Sequence, residues 1–293
     1  MEEPTNFQPT ALRLMDQVRA KIRYKRYSLR TEQSYLGGIR RYILYHNKCH
    51  TSEMGAIEIE SFLTHLAVKR KVSVSTQNLV LNAILFLYRE VLQLELPWLD
   101  GFERAKKPKR LPVVLSKEEV RRILAAVSNL QHRFILSLLY GTGMRVMECV
   151  RLRIKDIDMD RLGLVVRHGK GGKDRVTVVP EPLLSQIVHQ FEKSKILFEE
   201  GRANQVAGIY TPGVLDAKYP NAGKEFGWHW VFPSSKLSID PRTGIERRHH
   251  MDEKAIQRSM RSAVKKAGIY KHATPHTLRH YKINPFILPF RPA

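Results

Sequence analysis

Three short segments place cations and a histidine where a phosphodiester could be handled. GTGMRVMECVRLR carries Arg145 just after a glycine-flanked turn, at the predicted start of a helix. HGKGGKDR puts Lys170 at the tip of a predicted hairpin, with Lys173 close behind it. HTLR sets His276 and Arg279 three apart, hence on one helical face. Displacement at a phosphodiester builds negative charge on the non-bridging oxygens. Guanidiniums stay charged and offer forked donors that match those oxygens. A lysine can protonate the departing 5′-oxygen, and a histidine can move a proton at neutral pH. Glu148, one turn after Arg145, could orient that arginine. Singly, each segment has a plainer reading. Among 50 basic residues an arginine is commonly just solvated, GKGGKDR is also an ordinary glycine-rich turn, and HxxR alone is weak.

The overall charge points the same way. Fifty Lys and Arg against 28 Asp and Glu give the 293-residue chain a net charge of +22, which suits a polyanion whose counterions the cations displace. No apolar run reaches membrane-spanning length, and MEEPTNFQPTALRLMDQ lacks the basic and apolar regions of a secretory signal. Cys49 and Cys149 are the only cysteines, which fits a reducing, cytoplasmic setting rather than a disulfide framework. No metal site is expected. His249 and His250 are adjacent without a spaced partner, and His276 and His280 stand at i, i+4 without the glutamate of the zinc-protease motif.

The elements that must hold these residues can be read from periodicity. Tyr35, Ile39, Tyr42 and Ile43, and then Val80, Ile84, Leu87 and Val91, mark helical stripes within a predicted four-helix region, residues 1–95. Residues 96–112, LPWLDGFERAKKPKRLP, read as a basic linker. Its Lys106, Lys107, Lys109 and Arg110 could track a phosphate backbone. A second domain, 113–293, opens at a capping box, Ser116 with Glu119. LVVR and VTVV predict two strands around GKGGKD, and a helix follows near 181–200. Residues 201–250 read as a long irregular stretch. A further helix carries Ile256, Met260 and Ala263 and ends at Gly268. The expected fold is mainly α with a small antiparallel β-sheet.

Taken together and in this order, GTGMRVMEC, GKGGKDR and PHTLRH resemble the tyrosine recombinase (phage integrase) family of site-specific DNA recombinases. KYPNA, WHWVFPS and RRHHM narrow the resemblance to integron integrases, which carry an extra segment at this place. The resemblance implies two domains, a helical core-binding bundle and an α+β catalytic domain. It implies that Arg145 and Arg279 clamp the phosphate, that Lys170 is the general acid with Lys173 the weaker candidate, that His276 joins them, and that Glu148 supports Arg145. In the family a tyrosine attacks the scissile phosphate, forming a 3′-phosphotyrosyl link without metal or nucleotide cofactor. Implied partners are double-stranded attachment sites and cassette sites folded as single-stranded hairpins, with protruding bases contacted at Trp228, Pro241, His249 and His250. The implied assembly is a tetramer on two DNA sites, in a bacterial cytoplasm and on the nucleoid.

After His280 the pattern departs from the family. No second histidine in an LGH-like motif and no matching tyrosine segment appear in the sequence. Tyr281, the one tyrosine beyond Arg279, lies two residues after it and so about 200° around a helix, facing away from any phosphate that Arg279 holds. The expectation is therefore a frameshifted or prematurely stopped integrase that binds DNA without cleaving it. The alternatives are a competitor that occupies recombination sites, or an inert remnant.

Overall fold

The computed structural model describes residues 13–94, 111–167, 169, 173–211, 218–241 and 243–280. The chain divides into two compact units, 1–110 and 111–293.

The first unit is helical: α1 Leu14–Tyr24, α2 Leu29–Tyr45, α3 Ala56–Thr64 and α4 Val74–Phe86. Ser28 and Ser73 start α2 and α4 by accepting hydrogen bonds from the Thr31 and Thr76 amides, a side-chain answer to unpaired first-turn donors. The helical stripes converge, so that Val18, Ile22, Ile39, Ala83 and Leu87 are buried together beside a layer of Tyr42, Ile59, Phe62, Val80 and Ile84. Within that layer the Tyr88 hydroxyl donates to the Met54 carbonyl at 2.9 Å and accepts from the Tyr42 hydroxyl at 3.1 Å.

The second unit wraps helices around one core. In order it contains α5 Lys117–Ala126, α6 Leu130–Thr142, α7 Val146–Val150, β1 Ile157–Asp158, β2 Gly163–Val166, β3 Arg175–Val178, α8 Leu184–Ala203, β4 Pro233–Ile239, β5 Glu246–His250, α9 Glu253–Lys266 and α10 Pro275–His280. The capping box at Ser116 forms in both directions: Ser116 Oγ accepts from the Glu119 amide and Glu119 Oε2 from the Ser116 amide. Strands β1, β2 and β3 make an antiparallel sheet in which Val166 faces Arg175. Leu164 and Val166 turn inward from β2 to meet Ile135, Leu139, Ile256, Met260 and Leu278 in the core. The fold is mainly α with small antiparallel sheets.

The stretch 201–250, expected to be irregular, contains the antiparallel hairpin β4–β5. Its second strand, ERRHH, lacks alternating apolar residues, so periodicity passes over it. Pairing with β4 supplies the order, and Arg248 donates to the Ser234 and Ser235 carbonyls at 2.9 and 3.1 Å. The preceding strip is threaded into the core. Gln190 on α8 donates to the Val231 carbonyl at 2.7 Å, and Ser194 donates to the Trp230 carbonyl at 2.7 Å. Val231 and Phe232 are fully buried.

The Tyr42–Tyr88–Met54 chain is directional, which makes its two ends unequal. Tyr88→Phe strands both the Met54 carbonyl and the Tyr42 hydroxyl, and should cost about 1–3 kcal/mol. Tyr42→Phe leaves the Tyr88–Met54 bond in place and should cost less. Urea unfolding of the two variants against the parent measures the order.

Candidate active site

The turn between α6 and α7 sets the first arginine. Gly143 ends α6 at φ +68°, a left-handed conformation that suits glycine. The chain then extends through Arg145 (φ −80°, ψ 153°) into α7. The Thr142 carbonyl accepts from the Thr177 hydroxyl at 3.3 Å, which ties β3 to this turn.

Glu148 gathers the cations. Its Oε2 accepts from the Arg145 amide at 2.8 Å and from Arg175 Nη2 at 2.6 Å. Its Oε1 accepts from Arg145 Nη1 at 2.8 Å and from Arg175 Nη1 at 3.1 Å. Burial by itself pushes this carboxyl up. The bonds from Arg175 and from the amide and side chain of Arg145 outweigh it and hold the group down at about 2. Arg279, on α10, senses the same charges. Burial and the nearby Arg145 push its guanidinium below the ordinary value, Glu148 opposes, and Arg175 adds to the repulsion. Three guanidiniums against one carboxylate leave +2 at this spot, an arrangement that an anion would relieve.

Helix α10 is anchored by buried Leu278 and Thr277, which leaves Arg279 half-buried and His276 exposed. His276 opens on a groove of about 670 Å³ that is also lined by Val146, next to Arg145, and by Arg261 and Tyr270. Lys173 is exposed, and its carbonyl accepts from the Gly169 amide at 3.0 Å, closing the neck of the β2–β3 hairpin. Lys170 lies outside the described residues, as do Tyr281, Lys106, Lys107, Lys109 and Arg110. Thus Arg145, Glu148 and Arg279 come together, with His276 on the adjoining groove.

Arg175 was absent from the sequence reading, although GKGGKDR ends on it. Its signal is its place as the first residue of β3, opposite inward-facing Val166.

The residues expected in the insertion divide. Trp228, Trp230, His249 and His250 cluster around Arg153, a second arginine that the sequence did not single out. The Arg153 guanidinium donates to the Trp228 and Tyr210 carbonyls at 2.9 and 3.0 Å, and lies 5.2 and 4.4 Å from the Trp228 and Trp230 ring centres. Lys155 also stands over the Trp228 ring. Trp230 is buried, and its ring meets those of His249 and His250 at 5.7 and 5.4 Å. Pro241 is exposed in the β4–β5 turn, at the opposite end of the hairpin from His250, which pairs with Pro233. His250 Nε2 accepts from Arg151 Nε at 3.4 Å while Nδ1 donates to the Met251 carbonyl at 2.8 Å, a pattern that requires the neutral ring. Burial, with His249 and Arg151 nearby, holds His250 at about 4 against the weaker upward pull of the Met251 carbonyl.

Among the described residues, no group of three or more His, Cys, Asp or Glu is arranged to hold a metal ion. No helix there is long and apolar enough to cross a membrane.

Residues 14–98 match the phage integrase N-terminal SAM-like domain, and residues 113–283 match the phage integrase family. The chain is 46% identical over 270 residues to an integrase/recombinase of Escherichia coli, covering 92% of this chain and 80% of that one. It is 38% identical over 226 residues to tyrosine recombinase XerA of Pyrococcus furiosus, covering 75% of this chain and 62% of the relative. In fold it is similar to a lambda integrase tetramer bound to a Holliday junction, with TM-score 0.57, 16% identity, and coverage of 91% of this chain and 67% of that one. It is also similar to XerH bound to its difH substrate, with TM-score 0.56, 16% identity, and coverage of 92% and 73%. The chain belongs to the phage integrase family of tyrosine recombinases.

The carboxylate and the histidine titrate in separate windows. Glu148 is depressed when folded, so its pairing stabilises fully above the ordinary carboxylate value of 4.5 and is lost as pH falls toward about 2. Glu148→Gln should remove that part of the acid-unfolding curve. The depressed His250 costs stability as pH falls from 6.5 toward about 4, a window it shares with His229, so His250→Gln should remove its own part of that loss and leave the Glu148 window unchanged. Urea midpoints across the pH range check both.

Proposed function

We propose that this chain is a site-specific DNA recombinase of the integron integrase type, and that its 293 residues, assayed by themselves, bind DNA without cleaving it. The observation that carries the reading is the pairing of Arg145 and Arg175 on the single carboxylate of Glu148, with Arg279 near enough to sense all three charges, within a chain of this family. The fold neighbours described above are recombinases bound to DNA, which supports DNA as the partner. Integron type is supported by the segment 201–250, where WHWVFPS and RRHHM build one aromatic and cationic cluster. Aromatic faces of this kind suit an unpaired base protruding from a folded single strand. Exposed His249 and Pro241 are the best placed for such a base, whereas Trp228 and Trp230 chiefly hold Arg153.

In the reaction a tyrosine oxygen attacks phosphorus and the P–O5′ bond breaks. A proton reaches the departing 5′-oxygen, and the phosphodiester bond energy is kept in the 3′-phosphotyrosyl link. Arg145 and Arg279 would hold the non-bridging oxygens as their charge grows, since fixed guanidiniums need no reorganisation. His276 would move a proton at the edge of the groove, with Lys170 or Lys173 protonating the leaving oxygen. The attacking group is the piece without a match. Tyr281 is the one tyrosine of this sequence beyond Arg279, and it lies outside the described residues. Assembly as a tetramer on two sites, in a bacterial cytoplasm, belongs to the same reading.

A labelled cassette-end hairpin, nicked so that the cut strand cannot religate, tests both halves. The expected result is a shifted band on a native gel and no covalent band on a denaturing one. A covalent band abolished by Tyr281→Phe would overturn the non-cleaving half, and absence of any shift would overturn DNA binding. Arg279→Ala should reduce affinity and lower the slope of log K against log salt by about one phosphate contact.

A further inference from the structure

Arg175 carries a role that the phosphate clamp requires but does not itself name. Glu148 is 8% exposed at its side chain and has two oxygens, each accepting two hydrogen bonds. Those four bonds fill the carboxylate. Two come from Arg145 and two from Arg175, so the forked Arg175 sets the plane in which Glu148 receives the Arg145 side chain. The same guanidinium reaches the β2–β3 hairpin. A Cβ added to Gly169 would lie 3.0 Å from Arg175 Nη1 and 2.8 Å from the Lys173 carbonyl, so the hairpin neck rests directly on the arginine. Without Arg175, Glu148 would have half its donors, and the Arg145 guanidinium could rotate to satisfy the freed lone pairs, turning its donors from a phosphate to its own helix.

We infer that Arg175 is a positioning residue: it saturates Glu148 from the hairpin side, and so fixes the direction in which Arg145 presents its remaining donors to the scissile phosphate. This rests on the recombinase reading for the identity of the anion. The arrangement of Arg175, Glu148 and Arg145 stands without it. The fork matters as well as the charge, because lysine can supply one of the two parallel bonds but not both.

The test uses the full chain and a hairpin recombination site made in two forms, one with natural phosphodiesters and one with a single neutral methylphosphonate at the scissile position. Wild type should bind the natural form about tenfold more tightly, the scale of a charge-assisted contact. Arg175→Gln should lose most of that preference while binding the methylphosphonate form as tightly as wild type, and Arg175→Lys should recover it only in part. Hydrogen exchange supplies the second measurement. Arg175→Gln should speed exchange of the Gly169 amide and leave the amides of α6 protected. An undiminished preference in Arg175→Gln overturns the inference. Equal loss on both DNAs, with faster exchange throughout α6, also overturns it, since that is a purely structural role. Full recovery by Arg175→Lys overturns the part played by the fork. Should the wild-type chain bind neither DNA, the recombinase reading fails, and the Gly169 exchange still decides whether Arg175 holds the hairpin neck.

Discussion

One buried carboxylate organises the second unit's chemistry. Glu148 pulls two guanidiniums into fixed positions that would otherwise repel each other, and lowers the electrostatic cost of a third, Arg279, approaching from α10. A set of surface arginines at the same density would be mobile and hydrated, and each exposed pair would contribute little. Partial burial and a fully hydrogen-bonded carboxylate hold Arg145 and Arg175 in place here. Much of the surrounding fold serves this arrangement. The left-handed Gly143 delivers Arg145, the β3 strand delivers Arg175, and buried Leu278 seats the helix that delivers Arg279.

The segment 201–250 packs on a comparable scheme with different partners. Arg153 is stripped of much of its water and paid back by two carbonyls and two indole faces. Burial holds its guanidinium down at about 10, with Asp156 opposing. Asp156 also accepts from Arg167 at 2.6 Å, which connects this cluster to the end of β2. His229, buried behind it, shares Ser194 Oγ at 3.0 Å and is held neutral at about 4 by burial, against the upward pull of the Trp230 backbone. The segment is therefore a packed extension of the core rather than a loop laid over it.

What the sequence made legible was local. The Ser116–Glu119 capping box, the helical stripes of α2 and α4, and the pairing of Arg145 with Glu148 one turn later all depend on residues a few positions apart. Arg175 and Arg153 were not legible for a physical reason. Each takes its meaning from groups 27 or more residues away, Glu148 in one case and the Trp228 carbonyl in the other. Charge hid them further, because in a chain with 50 basic residues a structural arginine looks like any other. Strand β5 escaped because its order comes from backbone pairing and from Arg248 folding back on β4 carbonyls, neither of which leaves an apolar period.

The packing of Arg153 between two indoles has an optical consequence. The chain has three tryptophans, and two of them, Trp228 and Trp230, share this one cation. Their emission reports chiefly on whether the segment 201–250 is seated, because unseating takes both rings away from this cation and exposes the buried Trp230 to water. The segment thus carries its own fluorophores.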